Sequence, residues 1–221
     1  MFHGRLDGRS VLITGATVGL GRDLAAAFTD SGAIVAAVDG GYDTREAADA
    51  AFAPHGSVDA VVHAHVDPRA LVAQSLADTT EQAWDERSEG VLRDALFTLQ
   101  AAHRAFGDRG GRIVVVTPTI AVTGSDALVP YVTAVEGMRA LAKSAARQWG
   151  RHGITVNCVA PPMDLVAPGT PTPHAFVTEP ALGHGAGIDD VAAAIALFVG
   201  ADALGITGAT VVVDGGTVMV P

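Results

Sequence analysis

Short apolar runs of strand length recur along the chain and alternate with stretches of helical periodicity. The runs predict strands at residues 11–14, 34–38, 58–62, 113–116, 155–159 and 210–213. The stretches between them predict helices near residues 22–31, 43–53, 80–106, 131–150 and 189–200. Strands that are apolar throughout and separated by helices are typical of a parallel sheet covered on both faces. The pattern therefore predicts an α/β fold with a doubly wound parallel sheet.

Composition narrows the possible partners. The length of 221 residues predicts one domain over residues 1–221, and a hydrophobic content of 49% is enough for a buried core. Residues 161–187 are predicted to form an irregular lid or loop. The formal net charge of −10 argues against nucleic-acid and anionic membrane partners. The single Cys158 fits a reducing compartment, and the first residues lack the apolar run of a leader. We therefore expect a cytoplasmic protein.

A glycine turn follows the first predicted strand. Gly15, Gly19 and Gly21 lie between that strand and the first helix, and Thr17 and Leu20 belong to the same turn. Glycines let a ligand approach the backbone closely, and a helix start directs N–H groups at an anion. The turn predicts a pyrophosphate seat. The alternative is a turn that needs glycine only for packing.

Ordered motifs over nearly the whole chain resemble the short-chain dehydrogenase/reductase family. Thr14-Gly15-x-x-x-Gly19-x-Gly21 is similar to its cofactor turn, and residues 111–114 to the strand before its catalytic serine. Tyr131 begins a stretch similar to its catalytic helix, and residues 153–161 to the following strand. The resemblance implies a Rossmann-type sheet and a nicotinamide cofactor held by Gly15, Thr17, Gly19, Leu20, Gly21 and Asp39.

Asp39 ends the second predicted strand, where the resembling family places a carboxylate on the ribose diol. That role would favour NAD over NADP. The alternative is a solvated loop aspartate.

Three of the four catalytic positions of the resembling family carry apolar residues. The family uses an Asn-Ser-Tyr-Lys set, and the aligned positions here hold Val91, Pro118, Tyr131 and Val135. The missing lysine would lie one helical turn after the tyrosine, on the same helix face. Thr117 and Thr119 flank Pro118 and carry hydroxyls, although neighbouring strand residues point to opposite faces. Tyr131 is therefore the main catalytic candidate, with Thr117 and Thr119 as weaker ones.

The cofactor side also departs from the family. An Asn-Asn-Ala-Gly segment is replaced by His63-Ala64-His65-Val66, and residues 162–166 contain no threonine for a nicotinamide. Between Asp39 and Val58 only 18 residues are available, and a capping box at Asp43 and Glu46 already predicts one helix there. One edge strand and a helix are therefore predicted to be deleted, leaving six strands. We expect no cofactor or weakly bound NAD(H).

The histidines of this segment raise the question of a metal. His63, His65 and Asp67 have a spacing of two, but no second ligand cluster is marked in the sequence. The sequence therefore predicts no metal site and favours a polar lining for the former cofactor cleft.

Helices near residues 84–106 and 131–150 form the dimer face in the resembling family. Met138, Ala142, Ala145 and Ala146 form a small-residue face that would let two helices approach closely. The alternative is packing of this face on the sheet. We expect a homo-oligomer, or a hetero-oligomer with an active family member.

The leading hypothesis is a degenerate family member without its own redox activity, acting as a partner subunit or as a ligand-binding pseudoenzyme. One alternative is an NAD(H)-dependent carbonyl reductase or alcohol dehydrogenase that uses Tyr131 as its acid. Another is a non-redox isomerase, cyclase or lyase that reuses the cleft.

Overall fold

One parallel sheet organises the chain. The structure is a computed structural model that describes residues 6–170 and 178–219. Its strands are β1 (Ser10–Thr14), β2 (Ile34–Val38), β3 (Ala60–His63), β4 (Gly111–Val116), β5 (Ile154–Ala160) and β6 (Thr210–Val212). They lie in the order β2-β1-β3-β4-β5-β6, and every pair is parallel. The predicted doubly wound α/β fold is confirmed.

Helices cover the sheet on both faces. They are α1 (Gly19–Asp30), α2 (Arg45–Phe52), α3 (Glu81–Trp84), α4 (Gly90–Phe106), α5 (Ile120–Thr123), α6 (Val129–Trp149), α7 (Met163–Val166) and α8 (Ile188–Val199). Helix α4 packs against α2 and α6, whereas α1 packs against α8. Apolar residues from every layer form one contiguous buried cluster. Among the described residues no helix is long and apolar enough to cross a membrane.

The second strand forms one edge of the sheet, as the short connection to β3 predicts. Helix α2 and a short 3₁₀ turn (Ala53–His55) are the only regular elements between β2 and β3. Strands β3 and β5 are buried along their whole length, but Ile34 at the start of β2 is 64% exposed. The predicted deletion of the outer strand is therefore confirmed, and β2 has a free edge.

Two local predictions need correction. Helix α2 is capped by Thr44, whose side chain accepts a hydrogen bond from the Ala47 amide at 3.1 Å, and not by Asp43. Asp43 lies one residue too early for the cap, and threonine serves the same purpose. The predicted irregular segment 161–187 contains α7, and residues 171–177 lie outside the described residues.

The small-residue face of α6 packs inside the chain. Met138, Ala142, Ala145 and Ala146 are all at most 6% exposed. These residues lie on the side of α6 that covers the sheet, which is the alternative the sequence left open. Gly137 contacts α4 directly, because a Cβ there would lie 2.6 Å from the side chain of Leu92. An interface with another subunit would therefore have to use the outer faces of α4 and α6.

Candidate functional site

A cleft of about 680 Å³ opens at the carboxyl ends of β1, β2 and β3. The strand order reverses between β1 and β3, and ligands of open α/β sheets bind at such a switch point. Five of the six predicted cofactor residues line this cleft: Gly15, Thr17, Gly19, Leu20 and Asp39. The sequence therefore located the cleft, and helix α7 with the residues after it closes the opposite wall.

The glycine turn is shaped for a close approach of backbone to backbone. Gly15 has a φ of +71°, and a Cβ there would lie 2.5 Å from the Cα atom of His65. A Cβ on Gly21 would lie 2.2 Å from the carbonyl oxygen of Gly15. Gly21 therefore packs against the main chain of the glycine turn and does not line the cleft. Only glycine fits either position without moving the main chain.

The start of helix α1 leaves its first N–H groups available. Val18 is the N-cap residue, and it makes no capping hydrogen bond through its side chain. The first turn contains no acidic residue that would repel an anion. Because unpaired N–H groups and the helix dipole both favour negative charge, this end of the cleft suits a phosphate group.

Asp39 lies at the end of β2 beside the glycine turn. Its Oδ1 atom accepts a hydrogen bond from the Thr17 hydroxyl at 2.7 Å. The residue is exposed and lines the cleft. This arrangement holds Asp39 at the position that the resemblance assigns to a ribose partner.

Tyr131 is a buried residue of helix α6. It is 2% exposed on the first turn of α6, and it does not line the cleft among the described residues. Burial raises the pKa of Tyr131 above its ordinary value. Val135, one turn later, is 1% exposed, and Pro118 is also buried. The tyrosine therefore has an apolar residue where a lysine would lower its pKa.

The two flanking threonines do not replace the missing serine. Thr117 is fully buried, and its hydroxyl has no hydrogen-bond partner within the described part of the chain. Thr119 precedes α5, and its amide donates to the carbonyl of Pro161 at 2.9 Å. Neither threonine lines the cleft. The structure thus does not bring Tyr131, Thr117 and Thr119 together with the predicted cofactor residues.

A histidine–carboxylate pair lies at the cleft wall, where His65 lines the cleft and is partly buried. Nδ1 of His65 lies 2.7 Å from Oδ2 of Asp94 on α4, and the Tyr42 amide donates to Oδ1 of Asp94 at 3.0 Å. Burial by itself would raise the pKa of Asp94. The hydrogen bond from His65 and the charges of both histidines have the larger combined effect and lower the pKa to about 2. The ring of His65 packs on Gly40, where a Cβ would lie 2.3 Å from Cγ.

His63 is more deeply buried than His65. It ends β3 opposite Thr14 of β1, and its Nδ1 atom lies 3.0 Å from the Thr14 hydroxyl. Burial lowers the pKa of His63 to about 4, so the ring is neutral at pH 7. The described residues include no group of three or more side chains that could hold a metal ion.

Asp94 is the site residue that sequence reasoning missed. It shares a helix face with Thr98, Ala101 and Ala102, which are all buried. A carboxylate at a core-facing position of an apolar helix is a signal that it has a buried partner. The pair of histidines was noticed in the sequence, but nothing in the spacing joined it to a residue on α4.

Comparisons with known proteins agree with this architecture. The family described as enoyl-(acyl carrier protein) reductase matches residues 38–218. The D-threitol dehydrogenase of Mycolicibacterium smegmatis is 31% identical over 250 residues, covering 97% of this chain and 95% of the relative. The D-xylose 1-dehydrogenase of Caulobacter vibrioides is 35% identical over 182 residues, covering 71% and 72% of the two chains. The first alignment is longer than the 221-residue chain, as a deletion requires.

A solved structure matches over the whole fold. The blue fluorescent protein from a metagenomic library, in complex with NADPH, has a TM-score of 0.78 and 23% identity, with 97% of this chain and 100% of that chain covered. A parallel sheet with a glycine turn at its switch point defines a Rossmann-type protein. The chain belongs to the short-chain dehydrogenase/reductase family, and it has that family's oxidoreductase fold.

Proposed function

We propose that this chain does not transfer hydride by itself, and that it acts as a ligand-binding or partner subunit within its family. The observation that carries this proposal is the environment of Tyr131. The residue is 2% exposed, burial raises the pKa of its hydroxyl, and buried Val135 lies where a lysine would lower that pKa. A proton donor must be positioned at the substrate and have a pKa matched to its task. Tyr131 does not line the cleft among the described residues, and its pKa is raised away from neutrality.

The cleft fits one half of a nicotinamide dinucleotide better than the other. Gly15, Gly19 and the start of α1 form a cradle that would hold the pyrophosphate, and Asp39 would bind the adenosine ribose diol. The other half has fewer of the expected contacts among the described residues, because β2 is an edge strand and Met163–Val166 offers no hydroxyl. Thr170 is the threonine that lines this wall of the cleft. A bound nicotinamide cofactor would supply hydride chemistry, but no described acid is placed to use it. We therefore propose weak binding of NAD(H), with Asp39 disfavouring NADP(H).

The outer faces of α4 and α6 are the proposed contact with a second subunit. Leu96 on α4 is 38% exposed, and Ala140 on α6 is exposed. The partner would be a second copy or an active member of the family. A cytoplasmic location is proposed with it, since the only cysteine of the sequence, Cys158, is buried as a free thiol.

A reductase or dehydrogenase that uses Tyr131 is the second candidate. The names of the two relatives above favour it, since both act as dehydrogenases of polyols or sugars. It would require the Tyr131 hydroxyl to reach a bound substrate. A non-redox enzyme that reuses the cleft is the third candidate, and the histidines near the cleft are the observation that favours it.

The experiment compares turnover by the wild type and Tyr131→Phe. Oxidation of D-threitol and D-xylose with NAD⁺, and reduction of small carbonyl compounds with NADH, are followed by absorbance. The proposal predicts rates at the buffer background for both proteins. Turnover by the wild type that Tyr131→Phe abolishes would support the dehydrogenase candidate instead.

A further inference from the structure

A second cavity shares the His65 side chain with the cleft. It has a volume of about 250 Å³ and lies between Gly41, the end of β3 and the start of α4. Both His63 and His65 line it, together with the carboxylates of Asp43, Asp67, Asp85, Glu86 and Asp94 and the guanidinium groups of Arg69 and Arg93. We refer to it as the histidine cavity. None of the family's catalytic positions except that of Val91 contributes to it among the described residues.

Asp94 fixes the tautomer of His65. An ionised carboxylate accepts hydrogen bonds and has none to donate, so the proton of the 2.7 Å contact belongs to Nδ1 of His65. In the neutral ring Nε2 then carries the lone pair. A Cβ at Gly41 would lie 3.6 Å from this Nε2 atom, and Gly41 lines the histidine cavity. His65 thus presents a base to the cavity, with Asp94 as its positioning residue.

Thr14 fixes the opposite tautomer in His63. The Thr14 hydroxyl is fully buried, and Nδ1 of His63 is its one hydrogen-bond partner among the described residues. A buried hydroxyl that does not donate costs free energy, so Thr14 donates and Nδ1 accepts. The proton of the neutral ring is therefore on Nε2, which has no hydrogen-bond partner in the described part of the chain. His63 presents a neutral donor to the same cavity.

We propose that the histidine cavity is a proton-transfer site that enolises a small α-hydroxy carbonyl compound. His65 Nε2 removes the proton from the carbon next to the carbonyl. The C–H electron pair becomes a C=C bond, and the carbonyl π pair moves to the oxygen, which accepts a hydrogen bond from His63 Nε2. The former carbonyl oxygen takes the His63 Nε2 proton, and the hydroxyl group on the deprotonated carbon gives its proton back to His63 and becomes the new carbonyl. Return of the first proton from His65 to the former carbonyl carbon completes an isomerisation without net oxidation. A base paired with a neutral imidazole donor is a known solution for this chemistry.

The walls of the cavity define the substrate class. The carboxylates of Asp43, Asp85 and Glu86 accept hydrogen bonds from hydroxyl groups. Arg69 and Arg93 also line the cavity, and their guanidinium groups donate hydrogen bonds to oxygen acceptors. The lining therefore suits a ligand that carries both hydroxyl and carbonyl groups. Val91 is the one apolar side chain other than glycine among the described residues that line it. The cavity volume of about 250 Å³ suits a small open-chain sugar or polyol carbonyl. The inference goes beyond the proposed function and needs no nucleotide.

Solvent-deuterium exchange tests the reaction directly. Dihydroxyacetone, D-glyceraldehyde and D-xylulose are incubated with the protein in D₂O, and loss of the C–H signal beside the carbonyl is followed by proton NMR. We expect exchange by the wild type with at least one probe, and a fall of roughly 100-fold or more in His65→Gln. His55→Gln changes an exposed histidine outside the cavity and serves as the matched control. Exchange at the buffer rate with all three probes would overturn the proposal.

A spectroscopic readout covers the case in which His65→Gln fails to fold. Nitrogen-15 shifts of the wild type should show His65 as the Nδ1–H tautomer and His63 as the Nε2–H tautomer. In Asp94→Asn the side-chain amide donates to Nδ1, so His65 should switch to Nε2–H and lose exchange activity while the fold is kept. An Nε2–H tautomer of His65 in the wild type would overturn the proposal. Neither result depends on nucleotide binding, so a failure here is distinct from a failure of the proposed function.

Discussion

Tyr131 and Val135 lie one turn apart on the same face of helix α6, and both side chains are buried. In the resembling family a lysine at the second position would hold the tyrosine pKa down. Here burial raises the pKa of Tyr131, and nothing charged on that helix face opposes it. The pair explains why the family's chemistry is not expected from a chain that keeps the family's fold.

Tyr131→Phe should leave the protein folded and nearly as stable. Removing a hydroxyl that takes part in at most one hydrogen bond costs roughly 0.5–1.5 kcal/mol. Urea unfolding gives the free energy, and the assays of the proposed function give the turnover. An unchanged melting temperature together with a hundredfold loss of turnover would identify the hydroxyl as a working acid.

Gly21→Ala should destabilise the protein by about 3 kcal/mol. The added Cβ would lie 2.2 Å from the Gly15 carbonyl oxygen. This oxygen belongs to the main chain, so relieving the clash requires the glycine turn or helix α1 to shift. Gly150→Ala is the matched control, because Gly150 has helical dihedrals and nothing lies within 4 Å of its added Cβ. It should be neutral or slightly stabilising. Chemical unfolding of the two variants checks this, and equal stabilities would contradict the close contact at Gly15.

The fold could be predicted from the sequence because strands and connections leave patterns in short stretches of the chain. Continuous apolar runs fixed the strands, and the short connection after Asp39 showed that no outer strand was possible. Only part of the candidate site could be predicted in the same way. The glycine turn and Asp39 adjoin the cleft because they follow β1 and β2 directly. His65 and Asp94 are 29 positions apart and lie on different elements. Their contact could not be predicted from residue spacing, because it depends on how helix α4 packs beside the end of β3.

His63 should make the protein less stable in mild acid. Burial lowers its pKa from 6.5 to about 4, so its contribution is complete above pH 6.5 and is lost as the pH falls towards 4. The shift corresponds to roughly 3 kcal/mol of unfolding free energy. His63→Gln should flatten the fall between these two pH values, whereas the exposed His55→Gln should keep it. Urea midpoints measured from pH 7 to 4 give the comparison, and parallel curves for all three proteins would contradict a buried neutral ring.

Assembly should depend on the outer faces of α4 and α6. Leu96→Glu or Ala140→Glu would place an unpaired carboxylate in the proposed interface and should shift a dimer towards monomer. Ala26→Glu changes an exposed alanine of α1 and is the control. Light scattering is measured for each protein alone and mixed with an active family member from the same organism. A wild type that stays monomeric in both samples at high micromolar concentration would remove the partner-subunit role.

Calorimetric titration of the purified protein with NADH is the most direct test of the view that the cleft has lost its redox role. The remaining contacts, the glycine turn and Asp39, predict a dissociation constant of ~1 mM or weaker, about −4 kcal/mol of binding free energy. A micromolar dissociation constant would contradict it and would make the dehydrogenase candidate the leading one.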